Sequence, residues 1–135
     1  MNTYTIRDLS QRFDVPSSTL RYYEDMGLLE NVERTDNNQR IYTDEHIRRL
    51  EGINCFKKTG LPIARIQEFY QYEKDVDTHI EEIIQLVTEH ESNIQNKIAE
   101  LQQELLHIQH KVRFYNGIKE AIDAGQEPPK WEDFT

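Results

Sequence analysis

Apolar side chains in the first half of the chain recur at helical spacing in several short stretches. Positions at i, i+3 and i+7 predict a first helix over about residues 5–13. These positions are Ile6, Leu9 and Phe13. After an interruption, Pro16 and the hydroxylated run behind it favour a second helix, which we expect to end near Met26 with Gly27 as its stop. The two helices form a helix-turn-helix over about residues 5–26, although an αα-hairpin that merely packs has the same outline.

The outward face of the second helix favours DNA binding over simple packing. It carries small hydroxyls, a guanidinium and a phenol near the N-terminal end of the helix, where groove-contacting residues lie in helix-turn-helix proteins. An arginine can bind guanine or phosphate through two hydrogen bonds, and hydroxyls donate to phosphate oxygens. The candidate DNA-binding residues on this helix are Ser17, Ser18, Thr19, Arg21 and Tyr22. Its other large side chains, predicted to be core, are Leu20, Tyr23 and the following Leu28.

A short hairpin, or wing, is predicted within about residues 29–43. Asn37 and Asn38 can occupy the positive-φ positions of its turn, although Asn-Gly would be the stronger signal. The polar and aromatic side chains that this wing would place along a phosphate backbone are Arg34, Asn37, Arg40 and Tyr42. For the first of these arginines the alternative is a surface ion pair with Glu33 or Asp36.

Two further helices complete the first domain, which we place at residues 1–72. Thr43, followed by two acidic residues, begins a third helix that ends at Gly60, and Pro62 opens a fourth. Their inward positions are Ile47, Leu50, Ile53, Ile63, Ile66 and Phe69. Both helices are expected to be structural.

One long apolar seam dominates the second half of the chain. Its eleven positions alternate in steps of four and three residues over five heptads, and all but Glu91 are apolar or aromatic. The apolar members, which form the predicted dimer interface, are Ile80, Ile84, Val87, Ile94, Ile98, Leu101, Leu105, Ile108, Val112 and Tyr115. A helix of this length cannot cover its seam on so small a domain, so a homodimer is favoured over a single amphipathic helix. We predict a linker at 73–78, a coiled-coil helix at 79–119 and a tail at 120–135.

Composition and charge narrow the class of protein. The chain has 135 residues and a formal net charge of −9, which on its own argues against binding nucleic acid. Residues 1–75 carry 11 basic and 13 acidic side chains, whereas residues 76–135 carry 5 and 12, so the acidity belongs mostly to the long helix. Without a membrane-length apolar run or a secretory signal, we expect a cytoplasmic protein with no membrane partner. No phosphate-binding glycine loop, nucleophile elbow or acid–base pair is apparent, which argues against an enzyme.

Three remaining features carry candidate chemistry. His107 and His110 share a helix face but lack a third ligand at suitable spacing, so we predict neither a metal nor another cofactor and expect solvated histidines. The lone cysteine, Cys55, excludes an internal disulfide. The nearby Lys58 favours the thiolate form of Cys55, whereas a position near the helix C-terminus disfavours a negative charge. The alternative to a reactive thiol is an inert thiol packed in the core. In the tail, Trp131 and Phe134 either pack back on the dimer or lie in a mobile end that recruits a partner.

Five motifs occur in order along the first half: Thr5-Ile-Arg-Asp-Leu9, Thr19-Leu-Arg-Tyr-Tyr-Glu24, Gly27-Leu-Leu29, Arg34 with Asn37-Asn-Gln-Arg-Ile-Tyr42, and Gly60-Leu61 with Ile63 and Ile66. Together they resemble the MerR family of bacterial transcription regulators over about residues 3–70. The resemblance implies a mainly α fold, in which a winged helix-turn-helix domain of four helices precedes a long dimerisation helix that forms an antiparallel coiled coil. It implies DNA contacts by Arg21 and Tyr22, and phosphate contacts by Arg40 and Tyr42 in the wing. It also implies RNA polymerase as a functional partner.

The chain departs from the family pattern at two positions. Pro16 stands where a capping serine is usual, and Asn38 stands where the wing turn often has glycine. An antiparallel pair would separate the two winged domains by more than one DNA turn, roughly 34 Å. We therefore hypothesise that the dimer distorts its promoter DNA.

The segment from Cys55 to Leu61, the absence of other cysteines and the short tail resemble the NmlR/AdhR-type branch of the family. In that branch a single cysteine at this place is linked to the sensing of aldehydes or other electrophiles. The tail is also too short for the separate drug-binding domain of multidrug-sensing relatives. The resemblance favours Cys55 as a sensor that an electrophile modifies covalently. The alternatives are an effector-independent architectural regulator and a drug-like-molecule sensor in which the cysteine is inert.

Overall fold

The computed structural model describes residues 2–134, and the side chain of Phe134 lies outside the described part together with any role predicted for it. The chain divides into two compact units, residues 1–88 and 89–135. The elements of the first unit are β1 (Thr3–Tyr4), α1 (Ile6–Phe13), α2 (Ser17–Asp25), β2 (Glu33–Arg34), β3 (Arg40–Thr43), α3 (Asp44–Lys58) and α4 (Ile63–Glu73). The predicted fold class, mainly helical with a winged helix-turn-helix and a long C-terminal helix, is confirmed. Within residues 2–134 no helix combines the length and apolar character that a membrane span requires.

The helix-turn-helix forms from local signals in the sequence. Thr5 caps α1 through a reciprocal pair of hydrogen bonds with Asp8, and the helix ends where Asp14 adopts a left-handed φ of 52°. In α2, Pro16 occupies the N-cap and makes no side-chain capping bond, so the hydroxylated run begins inside the helix and does not cap it as predicted. Gly27, with a φ of 77°, turns the chain out of α2 as expected.

The strand β3 is central to the sheet, with β1 antiparallel on one side and β2 antiparallel on the other. The sequence did not predict β1, because two residues are too few to show an alternating pattern.

In the wing turn, residues 35–39, the Thr35 carbonyl accepts from the Asn38 N–H at 2.8 Å. Asn38 has a φ of 65°, as predicted, whereas Asn37 does not have a positive φ, so the prediction was correct for Asn38 and wrong for Asn37. In a turn longer than two residues, a single left-handed residue is sufficient.

The core of the first unit lies between the helix-turn-helix, the sheet, α3 and α4. Its buried side chains are Leu9, Leu20, Tyr23, Leu28, Leu29, Tyr42, Ile47, Leu50, Ile53, Ile66 and Tyr70. The three residues predicted to be core on and after α2 are among them. Arg49 of α3 joins two sides of this core: its Nη1 donates to the Leu28 carbonyl at 2.9 Å, and its guanidinium lies 4.1 Å from the ring centroid of Tyr70. These contacts hold α3 between the helix-turn-helix and α4.

The long helix, α5, spans Val76–Ala124 and is therefore longer than the predicted 79–119. It starts earlier because Asp75 caps its first turn. The Thr78 hydroxyl donates to Asp75 at 2.7 Å and the Thr78 N–H donates at 3.4 Å, and these two bonds lower the pKa of Asp75. One residue inside the helix, His79, has non-helical dihedral angles of φ −112° and ψ 17°. The helix therefore has a local irregularity just before the seam begins.

The second unit contains the rest of α5 and the tail. The helix runs past residue 119 because the first left-handed stop comes at Gly125, with a φ of 66°. A short 3₁₀ helix, Trp131–Phe134, follows. The indole of Trp131 stacks on the imidazole of His110 at a centroid distance of 3.7 Å, and His110 Nε2 donates to the Trp131 carbonyl at 2.9 Å. The tail thus packs on its own helix, and the prediction of a solvated histidine was wrong for His110.

Candidate nucleic-acid interface

The exposed face of α2 presents the polar side chains that the sequence singled out. Arg21, Tyr22 and Ser18 are exposed, and Tyr22 retains 47% of its accessible surface. Ser17 and Thr19 are half-buried at the same end of the helix. A guanidinium, a phenol and a hydroxyl on one exposed helix face have the chemistry needed to contact base edges and phosphates in a major groove.

The wing presents a second polar surface. Arg34 is exposed, and its Nη1 donates to the Asn38 carbonyl at 3.3 Å and, weakly, to Asn38 Oδ1 at 3.4 Å. Across the described residues, the alternative ion pair of Arg34 with Glu33 or Asp36 does not form. Asn37 is exposed at the tip of the turn. The guanidinium of Arg34 therefore keeps further donors for a phosphate.

A single carboxylate oxygen joins these two surfaces. Oε2 of Glu24, on α2, accepts from Arg40 Nε at 2.6 Å and from the Tyr42 hydroxyl at 3.2 Å, both on β3. The Glu24 and Arg40 side chains retain only 17% and 21% of their accessible surface, so solvent screens this ion pair less than a fully exposed one. Because the guanidinium is planar, fixing its Nε also limits where its remaining donors can point.

Tyr42 is not where the family resemblance placed it. It has no exposed surface, so a direct phosphate contact by its side chain is impossible from this position. Burial, followed by the nearby charge of Glu24, raises the pKa of Tyr42 well above its ordinary value, and the hydroxyl stays a donor to Glu24. Glu24 itself was missed as a site residue. The sequence signal for it was a carboxylate within the motif Thr19–Glu24, whose other polar side chains are candidate DNA contacts.

Two residues of α3, Lys57 and His46, form hydrogen bonds that fix the helix-turn-helix and the wing on this helix. Lys57 Nζ donates to the Tyr23 hydroxyl at 3.0 Å on the inner side of α2. His46 is buried, and its Nδ1 accepts from the Thr43 N–H at 2.9 Å while its Nε2 donates to the Glu30 carbonyl at 2.7 Å. These two bonds define the neutral tautomer that carries its hydrogen on Nε2. The helix-turn-helix and the wing therefore both contact the same helix, α3.

Cys55 lies on an exposed part of α3, near the C-terminal end of the helix. Its carbonyl accepts a hydrogen bond from Thr59 Oγ1 at 2.7 Å. Burial raises the pKa of the neighbouring Tyr70 to about 12, which keeps that hydroxyl neutral. The exposure of Cys55 does not fit the alternative of an inert packed thiol.

Within residues 2–134, no group of three or more potential metal ligands is found.

The apolar seam of α5 is mostly open. All of its predicted members except the half-buried Ile94 are exposed, with accessible fractions from 38% to 69%. Ile122, which is 71% exposed, lies seven residues after Tyr115 and extends the seam by one heptad. The sequence prediction missed it because Lys119 occupies the seam position between the two. Pairing of this seam with a second helix stays a prediction.

Two family models match the chain. One is described as a MerR HTH family regulatory protein and matches residues 4–73, and the other is described as MerR, DNA binding and matches residues 47–111. The first covers the helix-turn-helix, the wing, α3 and α4. The second extends from α3 far along α5.

Individual proteins agree with these models. An uncharacterized HTH-type transcriptional regulator of Haemophilus influenzae is 32% identical over 131 residues, which are 93% of this chain and 97% of that protein. The HTH-type transcriptional regulator ZntR of Escherichia coli is 31% identical over 100 residues, 73% of this chain and 71% of ZntR. The crystal structure of HiNmlR, a MerR family regulator lacking the sensor domain and bound to promoter DNA, superposes with a TM-score of 0.81. That chain is 31% identical, and the match covers 93% of this chain and 92% of HiNmlR.

Proposed function

Since this chain belongs to the MerR family of DNA-binding transcriptional regulators, we propose that it is a homodimer that binds and distorts a promoter, with Cys55 as its sensor of electrophiles. Membership confirms the family resemblance of the sequence motifs. Regulators of this family are not enzymes, in agreement with the sequence prediction. The observation that carries the proposal is the joint surface of α2 and the wing, which Glu24 holds together through Arg40.

On this surface the residues divide by task. Arg21 and Tyr22, exposed on α2, contact bases and backbone in the major groove. Arg34 and Arg40 of the wing contact the flanking phosphates and position the protein along the duplex. The likeness to HiNmlR, whose structure contains promoter DNA, supports this assignment.

A second copy of the chain covers the seam of α5. Exposed isoleucines, leucines and valines along a helix favour association, because their burial releases about 25 cal/mol per Å² of apolar surface. In the antiparallel pair that the family resemblance implies, the spacing of the two DNA-binding domains exceeds one turn of straight DNA, so the dimer bends or untwists its site. An operator complex in which the DNA stays straight and regularly wound would overturn this part of the proposal.

Cys55 is the sensor in this proposal. Its exposure allows a small aldehyde to reach the thiol, and addition of the S–H across the carbonyl gives a hemithioacetal without any oxidant or reductant. The adduct adds bulk and a hydroxyl to α3. The same helix contacts α2 through the hydrogen bond from Lys57 to the Tyr23 hydroxyl. Modification of α3 thereby reaches the DNA-facing helix, and RNA polymerase at the promoter responds to the change.

The test is promoter-dependent transcription by RNA polymerase with and without methylglyoxal. We expect a several-fold response from the wild-type protein and none from Cys55→Ser, which still binds the operator because Cys55 lies outside the DNA-facing surface. Arg21→Ala is the matched control, and it should lose operator binding under both conditions. A full response from Cys55→Ser would exclude the thiol sensor. A wild-type protein that regulates equally with and without the electrophile would instead be an effector-independent regulator.

A further inference from the structure

The charges beside the seam of α5 specify how two copies can pair. In heptad notation the seam alternates between position a (Ile84, Glu91, Ile98, Leu105, Val112) and position d (Ile80, Val87, Ile94, Leu101, Ile108, Tyr115). The flanking e positions are uncharged between residues 88 and 116: Thr88, Gln95, Gln102, Gln109 and Asn116. The g positions on the other flank carry the ions Lys97, Glu104 and Lys111. Since e and g residues set partner orientation in coiled coils, the g flank decides the arrangement.

We propose that, in the antiparallel α5 pair that the family resemblance implies, the two-fold axis lies between Ile98 and Leu101, so that Lys97 of each protomer forms an ion pair with the partner's Glu104. The inference rests on the proposed antiparallel homodimer and adds its register. Ile98 then packs in one layer with the partner's Leu101, and the ion pair occurs twice around the axis.

A parallel pair is disfavoured by two features of the same helix. It would bring each seam residue against its own copy, so two Glu91 carboxylates would face each other inside an apolar seam. It would also place Lys97 and Glu104 beside glutamines at the e positions of the partner, so this pairing would add no ion pair between the two helices. In the antiparallel arrangement Glu91 lies opposite the partner's Ile108, and the two carboxylates are far apart.

The register follows from the g positions, which lie opposite one another in an antiparallel pair. Displacing the partner by one heptad in one direction brings Lys97 against the partner's Lys97. Displacing it in the other direction brings Glu104 against the partner's Glu104. Both alternatives place like charges next to the two-fold axis, where they oppose association. Of these three registers, the proposed one places opposite charges next to the two-fold axis.

The tail leaves the seam open for this pairing. Trp131 stacks on His110, meets Phe114 edge-on at 5.1 Å, and lies beneath the Lys111 ammonium at 5.5 Å. His110 and Phe114 are at the outer f and c positions of the heptad, and Lys111 is at g. The tail therefore covers a flank of α5 and not positions a and d, in keeping with the exposure of the seam residues.

Cross-linking distinguishes the registers. In a Cys55→Ser background, we expect neither Lys97→Cys nor Glu104→Cys to cross-link with itself through a short bifunctional maleimide. The two variants refolded together should form a cross-linked heterodimer. Self-cross-linking of either variant indicates one of the displaced registers and overturns the proposal. A refolded mixture that gives no cross-link overturns it as well, and is the expected result of a parallel pair.

Charge exchange gives an independent measurement. Lys97→Glu and Glu104→Lys should each weaken the dimer about tenfold in sedimentation equilibrium, because each replaces two attractive contacts with two repulsive ones. The double variant should regain most of the affinity. Arg113→Glu, at the outer b position, is the matched control and should leave the dimer unchanged. If the double variant is weaker than both single variants, the register is wrong. If the wild-type chain is instead monomeric, the proposed homodimer itself is wrong.

Discussion

At the scale of single residues, Glu24 joins α2 and the wing through hydrogen bonds to one of its oxygen atoms. One of its carboxylate oxygens receives the Arg40 Nε and the Tyr42 hydroxyl, which come from positions 16 and 18 residues further along the chain. Tyr42 is fully buried, so in the proposed DNA complex it orients this carboxylate and does not touch a phosphate. A change at Glu24 should therefore alter DNA affinity without removing any DNA-contacting group.

The variant Glu24→Gln tests this role. The amide keeps an acceptor but loses the charge, leaving the partly buried Arg40 without its counter-ion. We expect operator affinity to fall about tenfold and the free energy of unfolding to fall by about 1 kcal/mol. Fluorescence anisotropy on a labelled operator and urea unfolding measure the two effects.

An exposed ion pair of the same unit provides the control for Glu24→Gln. Glu30 pairs with Lys74 at 2.6 Å, and both side chains retain more than 40% of their accessible surface. Glu30→Gln should leave affinity and stability nearly unchanged, because solvent screens such pairs. Equal affinities of the two variants would show that the carboxylate of Glu24 does not organise the DNA-binding surface.

At the scale of elements, the contact between α3 and α4 depends on a glycine. Gly52 is a helix-interior residue of α3, where glycine costs up to about 1 kcal/mol relative to alanine. A Cβ atom at this position would overlap the hydroxyl of Tyr70, which is buried on α4. The glycine therefore allows the two helices to approach, at the expense of helix propensity.

Gly52→Ala should consequently destabilise the protein despite the better helix propensity of alanine. We expect a loss of about 1–3 kcal/mol in the free energy of unfolding, the range typical of overpacked cores. Since the overlapping atom is the phenol oxygen, Tyr70→Phe in the same chain should restore most of the stability. A stabilised single variant, or a double variant that shows no recovery in urea unfolding, would contradict this account.

At the scale of the whole molecule, the net charge of −9 is unevenly distributed. Residues 1–75, which contain the proposed DNA-binding elements, are nearly balanced, and most of the excess acid lies on residues 76–135. A nearly neutral DNA-binding region gains little from non-specific attraction to phosphate. Affinity should then depend on a few positioned arginines, chiefly Arg21, Arg34 and Arg40.

The salt dependence of operator binding measures this directly. If the proposed homodimer contacts phosphates through these three arginines of each protomer, about six in total, the slope of log affinity against log salt concentration should be roughly −5. Arg34→Ala, which removes one contact from each protomer, should make the slope shallower by about 2. A slope as steep as about −10 would mean that many more phosphates are neutralised than these contacts provide.

The sequence by itself determined the order and type of the helices, the wing, the apolar seam and the family motifs. These features depend on periodicity, caps and stops that act over a few residues, such as the box formed by Thr5 and Asp8. The short strand β1 escaped prediction because its pairing with β3 joins residues about forty positions apart. Only the tertiary structure decided that Tyr42 is buried, that Cys55 is exposed and that Trp131 stacks on His110. Burial and side-chain contacts of this kind arise when separate elements pack, and no local pattern encodes them.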